Sequence, residues 1–314
     1  MPKNMPFLVA VGAIALVAAG FMFLSLGDSA EYEFVRAFGS EGAAEGQFRY
    51  VEDFALDGNG NLLVTDAVNV TVQLFTTDGK FLRAVGERTS GPGGFEQPEG
   101  IAVDLDGNIF VADYLAGFIK KFNANWEHLL TFSELGSAPG QTIEAEFMSI
   151  GPNQLLYLAD AGHNCVDVFD LEGNFKFRFG ERGSRDGEMI RPEAAKVSSN
   201  GEVFVTDYGN HRIQVFDLEG RFLRKWGSEG DEPGQFRNPA GLSFGPDGRV
   251  YTTEIGNARV QVFTPQGEYL SRWGSEGSSE EQFANVHGII IDADGLIFVA
   301  DTGNNRVQVF RRAG

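Results

Sequence analysis

The sequence predicts an all-β fold: a six-bladed β-propeller of 47-residue repeats, its last blade closed by the N-terminal strand, preceded by one N-terminal transmembrane helix. Three observations carry the propeller. First, VADTGNNRVQVF (Val299–Phe310) has variants elsewhere in the chain, VFVTDYGNHRIQVF, VYTTEIGNARVQVF and LYLADAGHNCVDVF. Each is an apolar run, an acid, a Gly/Asn corner and a second apolar run, which reads as strand, turn, strand. Second, the residues that open each copy (Phe48, Phe95, Thr142, Met189, Phe236 and Phe283) stand 47 apart with no insertion. A fixed period of this length marks a repeat architecture. Third, the last copy stops at Gly314 without its final strand. The missing piece, EFVRAFGSEGAAEGQ (Glu33–Gln47), sits at the other end and matches the RFLRKWGSEGDEPGQ that follows Gly220. An open solenoid gains nothing from splitting a repeat between its termini, whereas a ring gains a hydrogen-bonded closure.

In chain order, Phe7–Leu26 (FLVAVGAIALVAAGFMFLSL) is an uncharged stretch of twenty residues, long enough to cross a bilayer as a helix. It is longer than the apolar region of a cleaved leader and lacks a good small-x-small exit, so an uncleaved anchor is expected over a signal peptide. Lys3 precedes it, while Asp28, Glu31 and Glu33 follow. This charge order puts the N-terminus in the cytoplasm and the remainder on the exported, periplasmic or extracellular side. The division is therefore residues 1–32, anchor and linker, and 33–314, propeller. Each blade then runs through a strand such as GIAVD, a DGN or DGR turn, IFVAD, the Gly/Asn corner, VQVF, a second turn and FLRKWG, four short strands in all. Aromatics fall at fixed places in the blades. Those 27 residues after each opening residue (Phe75, Phe122, Phe169, Phe216, Phe263, Phe310) and those 37 after (Phe132, Phe179, Trp226, Trp273, with Phe38 from the N-terminal strand) are expected between blades.

Composition narrows function. A formal net charge of −19 excludes nucleic acid, whose phosphates require a Lys/Arg surface, and favours cations or cationic partners. The single cysteine, Cys165, excludes an intramolecular disulfide framework.

The motifs DxGNxRVQVF, GxFxxxFG and GQFxxPxG resemble the NHL repeat, over Glu33–Gly314. The resemblance implies a six-bladed ring with the termini sharing one blade, and places the start of each innermost strand and the acid-to-Arg corner around one channel mouth. It leaves function open, since such propellers include protein-binding modules, RNA-binding modules and, more distantly, the metal-dependent peptidyl-amidoglycolate lyases.

Without inserted loops, a site must come from places that differ between blades. Four residues after each opening residue stand Glu52, Glu99, Glu146, Glu193, Ala240 and His287. In the lyase branch the corresponding place supplies histidines from alternate blades to zinc. Here the alternate set is Glu99, Glu193 and His287, with one histidine instead of three, so the expectation shifts toward a harder divalent cation, calcium or manganese, over zinc. Three arginines, Arg212, Arg259 and Arg306, are expected to lock the corners by pairing with Asp207, Glu254 and Asp301. Blades one to three keep Asp66, Asp113 and Asp160 but carry Thr71, Phe118 and Cys165 in place of arginine. Those three acids are therefore expected to join Glu52 and Glu146 in an acidic rim. Tyr208 lies near a catalytic tyrosine of the lyase branch, and Lys196 stands within reach of the glutamates. His163 with Cys165, His211 and His128 read as turn residues. No nucleophile–base pair or three-histidine set is legible. The first functional reading is a membrane-anchored binding or scaffold module, acting at its acidic mouth on a protein partner, as accessory subunit of a membrane complex. The second is a metal-dependent lyase or hydrolase.

Overall fold

The structure, a computed structural model, describes residues 31–89 and 91–313. The expected transmembrane helix, Phe7–Leu26, lies outside the described residues. Among those described, no helix is long and apolar enough to cross a membrane.

Six antiparallel blades surround a central channel. Their innermost strands are Val51–Leu56, Pro98–Val103, Ala145–Ile150, Pro192–Val197, Pro239–Phe244 and Val286–Ile291. Each touches the next, and the last touches the first, so the ring is closed. The sixth blade is completed by Tyr32–Phe38, which pairs antiparallel with Arg306–Arg312 from Tyr32 opposite Arg312 to Phe38 opposite Val307. Ala313 N donates to Glu31 O at 2.8 Å and ends the closure. The strand split between the termini is thus the clasp of the ring, and it removes an otherwise open sheet edge.

The core lies between blades. The aromatic pairs are Phe38 with Phe75, Phe132 with Phe169, Phe179 with Phe216, Trp226 with Phe263 and Trp273 with Phe310, at centroid separations of 5.0, 5.4, 5.0, 5.8 and 5.5 Å. Each joins the outer strand of one blade to the third strand of the next. Nearer the axis, the innermost strands crowd so closely that a side chain is excluded at several places. A Cβ on Gly288 would meet Glu52 O at 2.2 Å, and one on Gly100 would meet Glu146 O at 2.3 Å. Threonines reinforce the same seams. Thr65 Oγ1 donates to Glu99 O at 2.7 Å, Thr206 Oγ1 to Ala240 O at 2.7 Å, and Thr253 Oγ1 to His287 O. The backbone at Glu99, Ala240 and His287 is therefore held by the preceding blade.

Candidate functional site

The corners come first, because they decide which acids are available for chemistry. In blade four, Arg212 Nε donates to Asp207 Oδ2 at 2.7 Å, and its other nitrogens reach the carbonyls of Ser184, Arg185 and Glu188 at 2.8–2.9 Å. Arg259 with Glu254 and Arg306 with Asp301 repeat the arrangement at 2.5 and 2.6 Å. Gln214, Gln261 and Gln308 add a side-chain bond to the same acids. These groups tie the blade's second and third strands to its own entry loop.

The rim expected from Asp66, Asp113 and Asp160 is corrected by the structure. All three are fully buried. Asp66 accepts the backbone N–H groups of Arg49, Tyr50 and Asn69; Asp113 accepts those of Glu96, Gln97 and Ala116; Asp160 accepts those of Ile143 and His163. A carboxylate saturated by amides in the corner does not face the mouth. Two of the three missing arginines are replaced from other positions. In blade two, Lys120 Nζ reaches Gly91 O and Gly94 O, both at 2.6 Å, with the Phe118 ring 4.5 Å away. In blade three, Arg178 from the outer strand holds Asp167 in a two-point contact at 2.7 Å and lies 3.8 Å from Asp160.

Blade three also contains the one set of His, Cys, Asp or Glu among the described residues whose ligand atoms converge within 4.8 Å: Asp160, Cys165 and Asp167. A metal ion fits that spacing. The positive charge there is already supplied by Arg178, with His163 Nδ1 2.7 Å from Asp160. Burial also pushes the Cys165 thiol far up, away from the thiolate that a metal needs. The other turn residues are placed simply. His211 Nδ1 accepts the Asn238 N–H at 3.1 Å, while His128, half-buried, opens the outer strand of blade two rather than lying in a turn and contacts Thr131.

The mouth itself is a cavity of about 320 Å³ whose lining includes Glu52, Glu99, Glu146, Glu193, His287 and Tyr50. The four glutamates come from consecutive blades and are only 3%, 5%, 4% and 8% exposed. Glu146 is the hinge of the group, hydrogen-bonded to both Glu99 and Glu193. Gln97 Nε2 donates to Glu99 Oε1 at 2.5 Å. The Glu52 carboxylate has no hydrogen-bond partner among the described residues. Burial raises all four above the usual range, Glu99 to about 8 and Glu193 to about 7; neighbouring carboxylates add to the rise at Glu52 and Glu146, while hydrogen bonds oppose it at Glu99 and Arg191 opposes it at Glu193. Burial also lowers His287 to about 4, so its ring is neutral. Its Nδ1 lies 2.9 Å from Asn285 O and therefore carries the hydrogen, leaving Nε2 as an acceptor. Tyr50 lies 5.8 Å from that ring and is raised to about 12 by burial and by Glu52. Tyr114 is hydrogen-bonded to Arg191, which also pairs with Glu144. Tyr208 stands close enough to Glu193 to be raised as well, chiefly by burial.

The expected metal set needs a second correction. Glu99, Glu193 and His287 share this cavity, but their ligand atoms do not converge within the 4.8 Å reached by the blade-three set. Ring geometry explains it: alternate blades stand on separate sides of the channel, while adjacent Glu99, Glu146 and Glu193 are drawn together by their own hydrogen bonds.

One contact crosses the channel. Lys196 Nζ of blade four lies 2.9 Å from Asp53 Oδ2 of blade one and 3.1 Å from Met148 O. Asp53 follows Glu52 in the sequence and is 1% exposed. Beyond this strut the channel turns apolar, a second cavity of about 250 Å³ lined by residues including Phe54, Ile101, Met148, Leu242 and Ile289. The sequence pointed to Lys196 and the glutamates; its actual partner Asp53, at a place held by glycine in three other blades, was missed, as were Tyr50 and Tyr114. A single acid where the repeat carries glycine was the available signal for Asp53.

Closed ring, terminal clasp and corner locks define a repeat propeller. Three of its repeats match a family model described as the NHL repeat, at residues 190–216, 236–263 and 283–310. A second model, described as a 6-bladed beta-propeller, matches residues 34–132. No curated protein matches the sequence. Among solved structures, the chain is similar to a structural genomics protein of unknown function from Bacteroides thetaiotaomicron (TM-score 0.70, 15% identity, covering 90% of this chain and 76% of that one). It is also similar to virginiamycin B lyase from Staphylococcus aureus (TM-score 0.62, 13% identity, 91% and 96% covered). A third is a gluconolactonase from Xanthomonas campestris (TM-score 0.65, 15% identity, 86% and 88% covered). At such identities the likeness is one of fold.

Proposed function

We propose that this chain is a membrane-anchored, exported binding propeller whose acidic channel mouth recognises a cationic group on a partner, as accessory subunit of a membrane complex. The observation that carries this reading is the group of four buried glutamates around one cavity, one of them without a hydrogen-bond partner among the described residues, in blades whose buried aspartates are all paired. Concentrating ionisable groups against burial destabilises the empty fold, and such sites are characteristic of function. The uncharged stretch Phe7–Leu26 supports the anchor and would hold the ring near the bilayer. The test is a mild-detergent pull-down of the full chain beside its Glu99→Gln/Glu193→Gln variant. A partner recovered with the wild type and lost with the variant supports the reading; recovery of the same proteins with both overturns it.

A second reading, a metal-dependent lyase or hydrolase, is favoured by one observation. Among the described residues His287 Nε2 has no hydrogen-bond partner, and it shares a cavity with carboxylic acids held near neutral pKa, a donor–acceptor pairing suited to acid–base chemistry. Metal content of the full chain before and after chelation separates the two.

A further inference from the structure

We infer that the group taken up by the mouth is a primary alkylammonium, the end of a lysine side chain or of a free diamine, rather than a bare metal ion. The inference rests on the reading of the mouth as a binding site and names its ligand. Three observations carry it. The first is Glu52, 3% exposed and without a hydrogen-bond or ion-pair partner among the described residues, which lines the cavity beside Glu99 and Glu193. A buried carboxylate is stable when a cation pairs with it.

The second is a spacing argument. A bare calcium or manganese ion requires several oxygens converging on one point at about 2.1–2.6 Å, and the mouth acids do not converge within 4.8 Å as the blade-three set does. An ammonium asks for less, since it donates in three directions and is satisfied by one carboxylate and one carbonyl. The third observation is that this channel already holds such a group. Lys196 reaches across the ring and places its ammonium 2.9 Å from Asp53 and 3.1 Å from Met148 O. Its Nζ also lies over the Phe147 ring, 5.7 Å from the centroid. Asp53 is thereby neutralised from within the chain, whereas its neighbour Glu52 has no lysine of its own. An alkylammonium entering from outside would do for Glu52, Glu99 and Glu193 what Lys196 does for Asp53, its stem passing between Tyr50 and Tyr114. Arg191, the cation in the cavity lining, is paired with Glu144 and eases Glu193, but it does not offset the charge at Glu52.

The experiment is calorimetric titration of the full chain in mild detergent with four probes: pentylamine, 1,5-diaminopentane, Nα-acetyl-lysine methylamide and calcium chloride. The amines are expected to bind with protons released, because they favour the ionised form of glutamates that otherwise hold protons near pH 7, and Glu52→Gln is expected to weaken binding roughly tenfold or more. Preference for the acetyl-lysine probe supports a protein lysine as the source; preference for the diamine supports a free amine. Calcium binding without amine binding overturns the inference and leaves the mouth as a cation site. If no probe binds, the inference falls together with the cationic-ligand reading beneath it.

Discussion

Replacing Lys196 with methionine removes the ammonium that spans the channel and keeps most of the stem. Asp53 is left 1% exposed, held by the backbone N–H groups of Phe54 and, at 3.5 Å, of Ile101. Breaking a buried ion pair from one side costs about 3–5 kcal/mol, because the remaining charge must be neutralised in place. For a domain of this size each kcal/mol corresponds to about 2 °C in Tm, so a fall of roughly 6–10 °C is expected in thermal denaturation. Burial already raises the Asp53 pKa and Lys196 opposes that rise. Without the lysine the carboxyl takes up a proton on folding, so the deficit of the variant is small at low pH and grows as pH increases. The double variant Lys196→Met/Asp53→Asn carries no orphan charge and is expected to be more stable than Lys196→Met alone. A single variant within about 1 kcal/mol of wild type would refute the reasoning. So would a double variant whose loss is the sum of the two single losses.

Three further outcomes follow from the same geometry. The raised pKa values of Glu99 and Glu193 mean that the folded state holds protons more tightly than the unfolded chain, so their contribution is present below about pH 4.5 and is lost as pH rises through about 7 and 8; each group contributes a slope of about 1.4 kcal/mol per pH unit within its window, and Glu99→Gln should flatten a denaturant-stability profile between pH 5 and 8. Gly288→Ala should destabilise by about 1–3 kcal/mol in the same assay, because its methyl would press on Glu52 O at the seam between blades six and one. A chain that begins after Phe38 loses the clasp opposite Arg306–Arg312 and should elute as aggregate in size-exclusion chromatography, whereas one that begins at Glu31 should elute as a folded species.

The fold was legible because every blade repeats one 47-residue pattern and because the pattern is broken between the termini. Phe48 and its counterparts mark the period, and Glu33–Gln47 marks the closure. The lining of the mouth was legible at one place only, where glutamate or histidine stands in five of the six blades. What the pattern concealed is how buried acids choose their partners. Asp66, Asp113 and Asp160 looked free because no arginine follows them at the usual spacing. In three dimensions backbone amides satisfy them, and Lys120 and Arg178 reach the neighbouring positions from other places. Lys196 and Asp53 lie 143 residues apart and meet only because blades one and four face each other across the ring. Spacing along the chain carries no trace of such a contact.

The most direct measurement of the central claim, that the mouth is a shared cluster of proton-holding glutamates, is an infrared titration of the carboxyl bands of the full chain between pH 4 and 9. The account predicts protonated carboxyl signal that persists above pH 6, falls as pH passes through about 7 and 8, and shrinks in Glu99→Gln and Glu193→Gln. Complete loss of protonated carboxyl signal by about pH 5, the range of ordinary surface glutamates, would contradict it.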